Sequence, residues 1–143
     1  MTGPFAVPGY CTLGPDAIAG GRPVVDHLLS VHGHRSVAFI AGETGVHEPE
    51  AREARWRDAL RSPGRPEGLL MRTLFTRAGG DEAAQRVLTG ADCPTAMFVS
   101  SDLQAFGVCA IRERALDVPR DVALVTFDDI EESTVSWPPL TLA

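Results

Sequence analysis

Short apolar runs alternate along this chain with longer stretches in which apolar residues recur at helical spacing. Four runs are apolar on both faces and predict buried β-strands: Ser36–Ala41, Leu69–Phe75, Thr95–Val99 and Val122–Phe127. The intervening stretches predict helices: Gly21–Val31, with Pro23 in its first turn, Glu50–Leu60, Asp81–Thr89 and Asp102–Ala115. Strands that alternate with helices favour a mostly parallel sheet covered on both faces. The pattern therefore predicts an α/β fold built as a three-layer sandwich.

Polar and aromatic side chains follow the ends of these predicted strands. Ligands of parallel sheets bind beyond the carboxyl ends of the strands, so these residues are candidates for a binding site. Arg52, near the start of the helix after the first strand, joins them. Carboxylates and arginine can hydrogen-bond hydroxyl groups, and an aromatic ring can stack on the apolar face of a sugar or a base. Such a set of groups indicates a small polyhydroxylated ligand. Besides Arg52, the candidate residues are Glu43, Thr44, Phe75, Ser101, Asp102, Asp128 and Asp129.

Helix capping is the alternative role for the polar residues at strand ends. Asp102 is better explained as a cap, and Ser101 with Gln104 has the spacing of a capping box. For Asp128 the two interpretations stand equal. Two adjacent carboxylates, Asp128 and Asp129, exceed what one cap requires.

Composition excludes several classes of function. The 143 residues carry a net charge of -6, which argues against a bare nucleic-acid-binding surface. All 13 basic residues are arginine, so chemistry that depends on lysine is excluded. His32 and His34 have no partners at metal-binding spacing, and no nucleophile stands beside a base. We therefore expect no enzyme activity, no metal and no cofactor.

The sequence also indicates a cytoplasmic protein. No stretch reaches the roughly 18 apolar residues of a membrane helix, so no membrane partner is expected. The first ten residues lack the features of a signal peptide. Cys11, Cys93 and Cys109 are odd in number and widely spaced, and we expect reduced thiols in the core.

Five motifs in order resemble one known family. His27–Gly42 is similar to "HLL..GHR.IAFIAG", and Arg52–Leu60 to an "R..G(aromatic)..AL" helix. Pro94–Gly107 is similar to "PTA.F..ND..A.G", Val118–Asp129 to "VP.DV.VVGFDD", and Pro138–Thr141 to "PPLT". As a set, they resemble the effector-binding part of LacI/GalR-type bacterial transcriptional repressors, which share the fold of periplasmic sugar-binding proteins.

The resemblance implies a two-lobed sensor that binds a sugar or nucleoside-like effector between its lobes. Residues 1–143 would form a partial effector-binding domain, mainly the second lobe. Operator DNA would be bound only through a headpiece that this stretch lacks. The resemblance assigns effector contacts to Arg52, Phe75, Ser101 and Asp128, and the cleft edge to Asp16. It assigns a homodimer interface to the following residues: Leu103, Phe106, Ala110, Val135 and Trp137.

Several positions depart from the family pattern. Ser101 replaces an asparagine, Arg55 and Thr126 replace glycines, and Ala17 follows Asp16 where the family has asparagine. Ala115 stands at a glycine of the turn before Val118, where a left-handed conformation would cost about 1 kcal/mol or more.

Two other functions remain open. The chain could be a fragment of a periplasmic-type sugar-binding protein of a transporter, which would have the same fold. It could also be a small standalone α/β enzyme, although no catalytic constellation is evident. The "GHR", "ND" and "PPLT" motifs favour the repressor.

Overall fold

Five parallel strands form the centre of the molecule. A computed structural model describes residues 17–45, 47–61, 63–128, 130–132 and 141–142, with the backbone alone at 17–20, 47–49 and 141–142. The sheet order is β2-β1-β3-β4-β5, and every pairing is parallel. The strands are β1 Ala38–Ala41, β2 Leu70–Arg72, β3 Ala96–Val99, β4 Ala123–Thr126 and β5 Thr141–Leu142.

Helices cover both faces of the sheet. Helices α1 and α2 pack together on one face, and α3 and α4 on the other. The helices are α1 Ala17–Ser30, α2 His47–Leu60, α3 Arg77–Leu88 and α4 Asp102–Val108, followed by a 3-10 helix at Cys109–Arg114. The predicted three-layer α/β sandwich is therefore confirmed.

A separate apolar core lies on each face of the sheet, because successive strand residues point to opposite sides. Under α1 and α2, the Phe39 ring lies 5.0 Å from Phe98 and 5.5 Å from Trp56, between ring centroids. The indole Nε1 of Trp56 donates to the Val37 carbonyl at 2.7 Å, which satisfies the buried polar atom. Under α3 and α4, fully buried Ile40 and Met97 belong to the second core.

Three helices begin earlier than the pattern predicts. Helix α2 begins at His47 and not at Glu50. Helix α1 begins at Ala17, so Pro23 lies inside the helix and not in its first turn. Helix α3 begins at Arg77, after the cap Thr76, whose hydroxyl accepts from the Gly79 amide at 3.0 Å. The sequence pattern did not predict this first turn, because Gly79 and Gly80 have low helix propensity. Glycine is nevertheless required at position 80, since a Cβ there would lie 1.9 Å from the Gln104 carbonyl oxygen of α4.

The expected helix Asp102–Ala115 changes character halfway. It is α-helical to Val108 and continues as a 3-10 helix to Arg114. Ala115 then takes φ 60° and ψ 26°, which confirms the left-handed conformation expected at this position.

The cysteines only partly match the expectation of core thiols. Cys93 is exposed and Cys109 is partly buried, and both are free thiols. Burial raises the pKa of Cys109, which keeps that thiol protonated. Cys11 lies outside the described residues.

Among the described residues, no helix is long and apolar enough to cross a bilayer.

Candidate functional site

Arg52 is the centre of the candidate site at the carboxyl edge of the sheet. Helix α2 places it there with only 4% of its side chain exposed. Its Nη1 donates to the Ser100 carbonyl at 2.5 Å, and its Cζ lies 3.9 Å from the centroid of the Phe127 ring. Its Nη2 lies 3.5 Å from Oδ1 of Asp128. One guanidinium therefore holds together the ends of β3 and β4.

Asp128 directs a carboxylate toward the surface of this edge. Its φ of 101° is in the left-handed region, which non-glycine residues seldom adopt. Its side chain is 34% exposed, whereas its partner Arg52 is buried. Strained backbone of this kind clusters at functional sites. The pair presents a carboxylate that a ligand hydroxyl can reach, supported by a guanidinium of fixed orientation.

Ser101 caps α4, as its spacing with Gln104 predicts. Its hydroxyl accepts from the Gln104 amide at 3.3 Å and donates to Oε1 of the same residue at 3.2 Å. Only 8% of Ser101 is exposed. It lies at the predicted edge, and its hydroxyl is already engaged within the chain.

Gln104 is a site residue that the sequence argument missed beyond its capping role. Its side chain is fully buried. Its Nε2 donates to the carbonyls of Ala41 and Leu74 at 3.2 and 3.3 Å, and its Oε1 accepts from the Ser100 hydroxyl at 2.9 Å. One amide thus ties together the ends of β1 and β3 and the loop after β2. The sequence signal that could have identified Gln104 is a polar residue within an otherwise apolar helix, because buried polar groups are hydrogen-bonded.

Phe75 lies in the loop after β2, since this strand ends at Arg72 and not at Phe75 as predicted. Its ring covers Gly42 so closely that a Cβ there would lie 1.8 Å from the ring Cζ. Gly42 follows β1, so this contact places an aromatic ring at the same sheet edge as Arg52. Phe75 as a whole is partly exposed.

Asp102 corrects the sequence interpretation, because it is not the cap of α4. Ser101 takes that position, and Asp102 is the first helical residue, fully buried. Its Oδ1 accepts from the Thr126 hydroxyl at 2.8 Å and its Oδ2 from the Ile130 amide at 2.9 Å. Asp102 therefore fixes the chain on both sides of the segment that carries Asp128.

The structure brings four of the five proposed ligand-contact residues to one edge: Arg52, Phe75, Ser101 and Asp128. The fifth, Asp16, lies outside the described residues. Phe127, which lies against Arg52, was missed as a site residue, because its apolar strand context indicated only core packing. Over the described ranges, no group of three or more His, Cys, Asp or Glu side chains could hold a metal ion.

Helix α4 and the 3-10 helix that follows it carry three of the predicted interface residues: Leu103, Phe106 and Ala110. Leu103 is 46% exposed. Phe106 and Ala110 are half-buried, and the Arg77 guanidinium lies 5.1 Å from the Phe106 ring centroid. Val135 and Trp137 lie outside the described residues. The apolar surface of α4 is thus only partly covered within the chain.

Comparison with known proteins defines the class of this fold. Residues 25–143 match the family described as "Periplasmic binding protein-like domain", and the chain belongs to that family. Its homologues are LacI-family transcriptional repressors.

One curated relative is the HTH-type transcriptional regulator DegA of Bacillus subtilis (strain 168), 33% identical over 129 residues, which cover 88% of this chain and 38% of DegA. A LacI family transcriptional regulator from Enterococcus faecium, solved with bound ribose, matches with a TM-score of 0.80 and 28% identity, over 89% of this chain and 47% of that one. A dimeric Lac repressor matches with a TM-score of 0.81 and 30% identity, over 89% and 47%. The chain thus spans about two fifths of the length of DegA and just under half of each of these two solved chains.

Proposed function

We propose that this chain is the effector-sensing lobe of a LacI-type transcriptional repressor. Its effector is a small polyhydroxylated molecule, a sugar or a nucleoside-like compound, and effector binding regulates DNA binding by a headpiece. The observation that carries the proposal is the pairing of buried Arg52 with the partly exposed Asp128 at the carboxyl edge, beside Phe75. The repressor relatives and the ribose-bound neighbour support the same function.

The proposed roles follow from the chemistry of each group. Asp128 accepts hydrogen bonds from ligand hydroxyls, because its carboxylate is partly exposed. Arg52 donates to ligand oxygens from a guanidinium that neighbouring groups already orient, so little side-chain entropy is lost on binding. Phe75 stacks on the apolar face of the ligand. Ser101 contributes a hydroxyl at the rim, and Asp16 contributes from the cleft edge.

A single lobe supplies one wall of such a site. Small-molecule sites bury most of the ligand surface, and one wall cannot do so. We therefore expect the isolated chain to bind its effector weakly, with a Kd on the order of millimolar. Residues of a second lobe would supply the other wall.

Self-association belongs to the same proposal. We propose a homodimer in which a surface formed by Leu103 and Phe106 of α4 and Ala110 of the 3-10 helix meets the same surface of a second copy, together with Val135 and Trp137. The dimeric Lac repressor neighbour supports it. Operator DNA is reached only through a headpiece, and we propose the cytoplasm as the location.

The relatives favour a repressor over the alternative functions. They are transcriptional regulators and not enzymes. We accordingly propose no catalytic role for Asp128, and we place the transporter-fragment alternative second.

Thermal unfolding with a ligand panel tests the proposed function. Ribose, glucose, cellobiose and adenosine are each added to the chain. A ligand at about ten times its Kd should stabilise the folded chain by about 1.4 kcal/mol. Asp128→Asn should abolish the rise in Tm, while Glu113→Gln, which removes an equal charge from an exposed position on the 3-10 helix, should preserve it.

Two results would contradict the proposal. One is a panel in which no ligand raises the Tm at concentrations up to tens of millimolar, on the order expected for a one-walled site. The other is an undiminished ligand response in Asp128→Asn.

A further inference from the structure

A cavity lies at the amino-terminal edge of the sheet, opposite the candidate effector site. It has a volume of about 290 Å³. Two loops line it: residues 33–35, which follow α1, and residues 63–66, which follow α2. Leu29 of α1 completes the wall. Because both loops precede strands of a parallel sheet, they lie at the end of the sheet away from Asp128.

The charged side chains that line this cavity are Arg35 and Arg65. Neither forms an ion pair with any acidic side chain in the part of the chain that the structure describes, and this sets them apart from most of its arginines. The chain as a whole carries a net charge of -6. Two arginines that share a cavity, without a carboxylate partner among the described residues, are therefore a local concentration of positive charge in an acidic protein.

His34 adds a neutral hydrogen-bonding group to the wall. Its Nδ1 lies 2.8 Å from the Thr95 hydroxyl. Burial, and then the charge of His32, lower the pKa of His34, so the ring is neutral at pH 7. When Thr95 donates to Nδ1, the proton is on Nε2, which can then donate to a ligand. The positive charge of the cavity thus comes from the arginines.

The backbone leaves the mouth of the cavity open. Gly33 and Gly64 have φ of +71° and +80°, and a Cβ at either position would meet no atom within 4 Å. Glycine is needed there for its conformation and not for close packing. The carboxyl ends of α1 and α2 lie at the same edge, and their partial negative charge opposes an anion. Anion affinity therefore has to come from the two guanidinium groups.

We propose that this cavity is a second ligand site, which binds a small anion through a phosphate group. Guanidinium groups match phosphate oxygens with paired, charge-assisted hydrogen bonds, which favours this anion over a halide. Free phosphate and a small phosphomonoester share that chemistry. The site is separate from the proposed effector site and does not depend on it.

Titrations of the ¹⁵N-labelled chain followed by NMR test the proposal. The probes are inorganic phosphate and glycerol 3-phosphate, with sodium chloride at matched ionic strength as the reference. Both phosphates should cause saturable shifts at the amides of residues 33–35 and 64–65, and chloride should not. Tighter binding of glycerol 3-phosphate would assign an organic phosphomonoester, and equal binding would assign the phosphate group alone.

Substitutions make the test specific. Arg35→Gln or Arg65→Gln alone should weaken binding about two- to fivefold, as expected for one exposed ion pair. The double variant should lose saturable binding. Arg114→Gln, which removes the same charge from an exposed residue that does not line the cavity, should bind like the parent. Shifts that chloride reproduces, or saturable binding by the double variant, would overturn the proposal.

Discussion

Thr126 shows how a single hydroxyl can organise the loop that carries Asp128. The side chain is fully buried and donates to the Asp102 carboxylate at 2.8 Å. The other oxygen of that carboxylate accepts from the Ile130 amide. A residue without a side-chain hydroxyl could not make this bond, so Thr126 gives the chain an additional anchor for the loop.

Thr126→Val should destabilise the chain by about 1.5–3 kcal/mol, because a buried carboxylate loses a hydrogen-bond donor. Valine preserves the shape, so the effect reports on the hydroxyl. Thr126→Ser is the matched control, and it should cost only about 1 kcal/mol for the lost methyl group. Urea unfolding measures both variants. A valine variant as stable as the serine variant would contradict this role.

Ala115 illustrates a strained residue that the sequence argument identified. Its φ of 60° costs alanine more than glycine. Ala115→Gly should raise the free energy of unfolding by about 0.5–1 kcal/mol, after allowance for the greater freedom of glycine in the unfolded chain. Ala54→Gly, at an exposed position within α2, should lower it by about 1 kcal/mol. Urea unfolding of both variants checks the opposite signs, and equal losses would refute the conformational argument.

Among the elements, the strands were predicted more reliably than the helix ends. Each of the four predicted strands contains an observed one, because buried parallel strands form continuous apolar runs. The two-residue strand β5 was not predicted. The start of α3 was missed because Gly79 and Gly80 disfavour a helix locally, while the close contact of Gly80 with Gln104 of α4 requires glycine there. That contact is tertiary, so no local pattern reveals it.

In the candidate site, too, the features set by local sequence pattern could be predicted and those set by tertiary contacts could not. Its location could be predicted, because strand ends in a parallel sheet share one edge. Its internal contacts could not. The hydrogen bonds from Gln104 to Ala41 and from Thr126 to Asp102 join residues that lie on different elements. Asp102 was misassigned as a cap for this reason.

The α4 surface carries a prediction about association. Leu103→Ser should weaken self-association roughly tenfold or more, because burying a leucine contributes about 1.5–3 kcal/mol. Val31→Ser is the matched control, since Val31 is 67% exposed just after α1 and is not among the proposed interface residues. Sedimentation over a concentration series measures both. A monomeric parent chain, or equal weakening by both variants, would contradict the proposed interface.

For the whole molecule, the two edges of the sheet carry different chemistry. The carboxyl edge combines a carboxylate, a buried guanidinium and an aromatic ring. The amino edge combines two arginines with a neutral histidine. The two edges lie at opposite ends of the parallel strands, so a ligand at one edge touches none of the residues that form the other site. Their binding can therefore be measured independently.

An NMR titration of the ¹⁵N-labelled chain with ribose, cellobiose and adenosine tests the central claim most directly, because it locates even millimolar binding residue by residue. We expect saturable shifts for at least one of these ligands, concentrated at the amides of Arg52, Phe75, Ser101 and Asp128. Absence of saturable shifts for every ligand, or shifts confined to the amino edge or to the outer faces of the helices, would contradict it.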